Sequence, residues 1–168
     1  PRAEDAARIC IIDTQKNTEL IVLAETRAWN FHQGARLQWI PGRENKIIYN
    51  DRRKDEHGWD KFVAVIFDIE TKEEKILGYP IYAISPDGNF GLGLDFYALG
   101  VRGGYGYALI GGKKEDPIPN QKDPLAYEMN FGVARIDLNT GNSEVMITTY
   151  DAAKESYNPS PEENHVLT

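Results

Sequence analysis

The polar residues with the clearest chemical potential fall in three stretches. His32 and Gln33 stand side by side in FHQGARLQW, and Asn50, Asp51, Arg52 and Arg53 close the apolar run KIIY. Asp95 opens a stretch of more than 30 residues, through Asn130, that carries GVRGGYGYALIGG. An imidazole beside a carboxamide can hold a metal or orient a substrate, so His32 is a candidate ligand. Arginine presents a planar fork of donors that matches a carboxylate or phosphate, which singles out Arg52, Arg53 and Arg102. Glycines let the backbone approach a ligand, and Tyr105 and Tyr107 add flat faces that end in a hydroxyl. Each residue also has a plain structural role open to it: a hydrogen-bonded histidine, arginines paired with Asp51 and Asp55, a tightly folded glycine loop.

Other chemistry is absent from the sequence. There is no HExxH, no GxSxG and no paired-cysteine spacing, and GVRGGYG lacks the lysine and hydroxyl residue of a phosphate-binding loop. Trp29, Trp39 and Trp59 could stack on sugar rings, but Trp39 alternates with Leu37 in a strand and is expected in the core. His57 lies in the charged run DRRKDEHGWD, most simply a solvated connection. A net charge of −7 argues against general nucleic-acid binding, while leaving room for a local basic pocket. Cys10 is the only cysteine, so neither an internal disulfide nor a thiolate cluster can form. No apolar run reaches the roughly 18 residues of a membrane helix, and no targeting segment stands at the start. A membrane partner is not expected, and cytoplasm and periplasm both remain open.

These residues need a frame, and the chain of 168 residues repeats one. ARLQWIPGRENKIIYNDR and IYAISPDGNFGLGLDF each read as an apolar strand, a Pro-Gly or Pro-Asp-Gly turn and a second strand; their prolines, Pro41 and Pro86, lie 86 − 41 = 45 residues apart. A second pattern occurs three times, in RICIIDTQKN, FVAVIFDIETKEEKIL and FGVARIDLNTGNSEVMIT. In each, an apolar strand ends at Asp13, Asp68 or Asp137 and turns through threonine into another strand. Joined, the patterns give a four-stranded antiparallel unit, and a repeat of this kind points to an all-β fold of propeller blades.

Residues 1–28 supply half a blade, 29–78 one blade, and 79–149 another with an insertion at 96–130; 150–168 read as a short helical turn and a linker towards a next blade. Two and a half blades cannot close a ring, so the remaining blades are expected from a longer parent chain or from other copies. An antiparallel sandwich of the same strands is the rival architecture. In a meander alternate loops go to opposite ends. The Pro-Gly and Asp-Thr turns therefore share one end, while the stretches 30–34, 50–60, 78–80 and 95–130 gather at the other. That end is the expected binding mouth, with Gln33, Asn50, Asp51, Arg52, Asp95, Arg102, Tyr105 and Tyr107 facing a ligand.

FHQGARLQWIPG, IIYNDR, YPIYAISPDG and GYGY together resemble a group of bacterial TolB-like propellers related to oligogalacturonate lyases. The resemblance covers most of 29–148. It implies a six- or seven-bladed propeller with its site at the channel mouth. It further implies β-elimination on short pectin-derived uronides, with a divalent metal such as Mn²⁺ held by histidines and a glutamine. Gln33, Asn50, Asp51, Arg52, Arg102, Tyr105 and Tyr107 match the group's signatures. The histidine cluster does not carry over, since the chain has only His32, His57 and His165. The expected ligand is an acidic oligosaccharide or another small acidic molecule, with a non-catalytic module for a glycan or protein as the alternative.

Overall fold

The structure is a computed structural model and describes residues 4–15, 19–54, 56, 58, 60–103, 106–107, 132–148 and 151–152. Its strands form three antiparallel sheets. β1 (Ala7–Ile12) and β2 (Leu20–Thr26) make a pair. β3 (Gln38–Trp39), β4 (Lys46–Lys54), β5 (Asp60–Asp68) and β6 (Glu74–Leu77) make a four-stranded meander. β7 (Ile81–Ile84), β8 (Phe90–Leu94), β9 (Gly132–Asp137) and β10 (Ser143–Thr148) make another, and among the described residues between β8 and β9 lies the helix α1 (Phe96–Gly103).

The residue pattern of the middle sheet explains how the three lie together. β5 reads as an unbroken apolar run, FVAVIF, and a strand of that kind is buried on both faces. Its odd-numbered residues Val63, Val65 and Phe67 pack with Ile47 and Tyr49 of β4 against Ile9, Leu23 and Ala24 of the β1–β2 pair. Its even-numbered residues Ala64 and Ile66 pack with Ile40, Ile48 and Leu77 against Ile81, Ile136 and Leu138 of the last sheet. Each fully buried isoleucine or valine contributes about 1.5–3 kcal/mol of transfer free energy to these two interfaces. The last sheet shows the complementary device. In β8 the glycines face the middle sheet, where a Cβ on Gly91 would stand 2.1 Å from Ile81 Cδ1, and Leu92 on the other face is exposed.

One end is tied by its turns. Asp68 Oδ1 accepts from the Glu70 and Thr71 amides, and Asp137 Oδ1 accepts from those of Asn139 and Thr140, at 2.8–3.0 Å. Arg43 Nη2 donates to Gly88 O at 3.2 Å and to Asn139 Oδ1 at 2.6 Å, so the Pro41 and Pro86 turns and the Asp137 turn are fastened together. Lys75 Nζ donates to Asn139 O across the same junction. A shallow groove of about 250 Å³ lies there, and these bonds cross it.

Four expectations change. Trp39 is not in the core: it is 53% exposed, and Leu37 beside it is exposed too. Both stand on the face turned towards β1–β2, but that pair covers only β4 and β5. The uncovered part is an open groove of about 260 Å³ lined by Cys10, Ile12, Leu37 and Trp39. Residues 50–54 are not a loop; β4 continues to Lys54, paired with Asp60 to Ala64 of β5. Opposite charges support the extension, since Lys54 Nζ lies 2.9 Å and Arg52 Nε 3.9 Å from Asp60 Oδ1. The insertion after Asp95 is not all loop: α1 begins at once. Finally, β3 is shorter than the expected 35–40, because Gly34 and Arg36 have φ of 57° and 55° and break the extended backbone.

Candidate functional site

The end opposite the tied turns is built on a turn that begins at Asn30. Its Oδ1 accepts from the His32 and Gln33 amides at 3.0 and 2.8 Å, and its Nδ2 donates to Gly106 O at 3.0 Å. The Gly34 amide closes the turn on Asn30 O at 2.9 Å. An asparagine that satisfies its own following amides fixes a tight turn without strand pairing. It holds the tip outward: Phe31 is 80% exposed, resting edge-on against Trp29 with ring centres 5.5 Å apart, and His32 is exposed beside it. Gln33 is half-buried.

Beneath the tip lies a buried polar network. Asn50 is wholly buried; its Nδ2 donates to Ile81 O at 2.8 Å and to the Tyr107 hydroxyl at 2.9 Å, and its Oδ1 accepts from the Ile81 amide at 2.7 Å. Every polar atom of that side chain is therefore matched, as burial requires. Asp51 points to the other face of β4. Its Oδ1 accepts from the Thr26 hydroxyl and the Arg27 amide at 3.1 and 2.9 Å, and its Oδ2 lies 2.6 Å from Arg53 Nε. Arg53 reaches on to Glu74 Oε2 at 3.0 Å. Arg52 is buried and faces Asp60.

The helix and the glycine-tyrosine run complete this end. Asp95 caps α1, accepting the Tyr97 amide on Oδ1 at 2.9 Å and the Leu99 amide on its carbonyl at 3.0 Å. Tyr107 stacks flat on Phe96 at 4.4 Å and meets Phe62 edge-on at 5.3 Å. Gly106 makes that approach possible, since a Cβ there would stand 2.0 Å from Phe96 O and 2.2 Å from Gly100 N. Burial pushes the Tyr107 hydroxyl well above the ordinary phenol range, and Tyr79 is pushed up to about 12 by burial and by the nearby Asp95 carboxylate.

The sequence-derived residues thus meet at one end, but in different roles. Asn50, Asp51, Arg52 and Tyr107 lie inside, bonded to the protein, and Asp95 serves the helix. His32 and Gln33 stand on the outward turn. Arg102 falls in the last turn of α1, and Tyr105, His57 and Trp59 lie outside the described residues. Two residues went unnoticed in the sequence. Asn30 organises the turn, and the signal was an asparagine four residues before a glycine. Arg36 is the other; its guanidinium lies 4.1 Å above the Tyr82 ring and donates through Nε to Tyr82 O at 2.9 Å, and through Nη2 to the same oxygen.

Among the described residues no group of three or more His, Cys, Asp and Glu side chains is placed to hold a metal ion. His32 alone does not make such a site. No helix among the described residues is long and apolar enough to cross a membrane. No protein-family model matches the chain, and no curated protein or solved structure is significantly similar to it.

Proposed function

We propose that the chain forms two blades and the outer half of a third in a β-propeller, and that its loop-bearing end binds acidic oligosaccharides. What supports the propeller is the middle sheet, packed on both faces by the sheets that precede and follow it in the chain. A two-sheet sandwich leaves each outer face to water. The edge of β1 that no described residue pairs with, beside the exposed Leu37 and Trp39, is where two inner strands complete the first sheet. Those strands and the other blades come from the rest of a longer chain or from further copies.

The observation that carries the ligand reading is the convergence of the 30–34 turn, the Asn50 network and α1 with Gly106–Tyr107 at a single end. The resemblance to oligogalacturonate lyases names the ligand class. In that chemistry the C5 proton of a uronate becomes removable once its carboxylate is neutralised by a cation or a guanidinium, with a base in hydrogen-bond reach. Non-catalytic binding is the second reading, and the internal bonding of Asn50, Asp51 and Arg52 favours it. Oligogalacturonides are incubated with the protein, with added Mn²⁺ and after chelation, while absorbance of the unsaturated product and binding heat are followed. Turnover establishes the lyase; binding without turnover that survives chelation establishes the binding module. Neither signal at any pH overturns both.

A further inference from the structure

We infer that Arg36 is the anion-gripping residue of the loop-bearing end and takes a ligand carboxylate on its outer edge; the assignment rests on the acidic-oligosaccharide reading above. Two of the other described arginines near this end already have carboxylate partners, Arg52 facing Asp60 and Arg53 lying between Asp51 and Glu74, while Arg27 is exposed. Arg36 has none among the described residues, in a chain with 26 acidic residues and a net charge of −7. It is half-buried rather than solvated.

Its geometry is that of a residue held for use. The guanidinium carbon lies over the Tyr82 ring, 4.1 Å from its centre, and Nε and Nη2 both donate to Tyr82 O. Two of five N–H groups are thereby consumed on one side of the fork. Nη1 and the second Nη2 hydrogen make no hydrogen bond to the described residues, and together they form the edge that takes a carboxylate by two parallel bonds. Gln38 Nε2 also donates to Tyr82 O, at 3.3 Å, and to Arg36 O, at 3.1 Å, bracing the arginine from both sides. The backbone at Arg36 has φ of 55°, a left-handed conformation that is strained for a non-glycine residue. From this position, two residues before β3, the side chain reaches the Tyr82 ring.

Preorganisation lowers the entropy lost when a long side chain binds. The test uses the full chain and reads the Arg36 Nε–Hε resonance by NMR. Digalacturonate, its dimethyl ester and glutarate are titrated into wild type, Arg36→Gln and Arg36→Lys. Digalacturonate and glutarate are expected to shift the resonance and the ester to leave it in place. Affinity for the acids is expected to fall about tenfold in Arg36→Gln, the loss of one charge-assisted pair, and less in Arg36→Lys. If Arg36→Gln does not fold, Arg36→Lys carries the comparison, because an ammonium cannot make the paired bonds. Undiminished digalacturonate binding in the variants overturns Arg36 and leaves the saccharide reading standing. Glutarate binding through Arg36 without digalacturonate binding supports the anion site and overturns the saccharide reading. A silent Arg36 resonance while digalacturonate binds overturns Arg36 alone, and no binding of any carboxylate overturns both.

Discussion

Asn50 shows how a residue chosen for binding chemistry can be consumed by the fold. Its side chain bonds Ile81 through both backbone groups and also bonds Tyr107, linking the middle sheet, the last sheet and the run after α1. Replacing it with alanine leaves three buried polar groups unmatched, and Asn50→Ala is expected to cost about 3 kcal/mol in a urea titration. Tyr107→Phe keeps the ring on Phe96 and loses one bond, for about 1 kcal/mol. Measured together, the two substitutions should cost less than their sum, because they share an interaction. Gly106→Ala pushes a methyl into the α1 backbone and is expected to cost about 2 kcal/mol. The sequence made Asn50 conspicuous because a polar residue ending an apolar strand reads the same whether it meets a ligand or another strand. Only the position of Ile81, thirty-one residues on, decides between them.

The strands were the most legible elements, because turn chemistry marks their ends. Prolines, glycines and Asx turns delimit each hairpin, and every described strand falls in a stretch bounded by them. α1 was missed because its signal is local and weak: an Asp cap before FYALGV, inside a segment whose glycines suggest loop. The turn carboxylates lead to an expectation at this scale. Amide and hydroxyl donors hold the Asp87 carboxyl at about 2, and Asp68 and Asp137 are lowered mainly by backbone amides. A folded-state pKa below the unfolded value contributes stability that is complete above the ordinary aspartate range, near 3.8, and lost as pH falls through the folded value. Unfolding followed from pH 5 to pH 2 should therefore show stability dropping below about pH 4. Asn at positions 68, 87 and 137 together should flatten that drop; an unchanged slope would remove these turns from the acid response.

At the scale of the molecule, the order of the sheets was legible and the coverage of their faces was not. Repeats locate strands, but they do not say which half of a face a neighbour reaches, so Trp39 reads as core and emerges in a groove. Exposed Ile12, Leu20, Val22, Leu37 and Trp39, next to a strand edge unpaired among the described residues, favour association. Sedimentation of the chain should show concentration-dependent self-association, weakened in a Leu37→Lys, Trp39→Glu double variant; a monomer at all concentrations would mean that edge is protected.

The claim beneath all of this is that the middle sheet is buried on both faces, by β1–β2 on one side and by β7–β10 on the other. Methyl–methyl NOE spectra of the isoleucine-, leucine- and valine-labelled chain test it most directly. The account predicts cross-peaks from Val63 or Val65 to Ile9 and, in the same sample, from Ile48 or Ile66 to Ile81 or Ile136. Cross-peaks to one neighbour only, with the opposite face of β4 and β5 open to solvent, would contradict it.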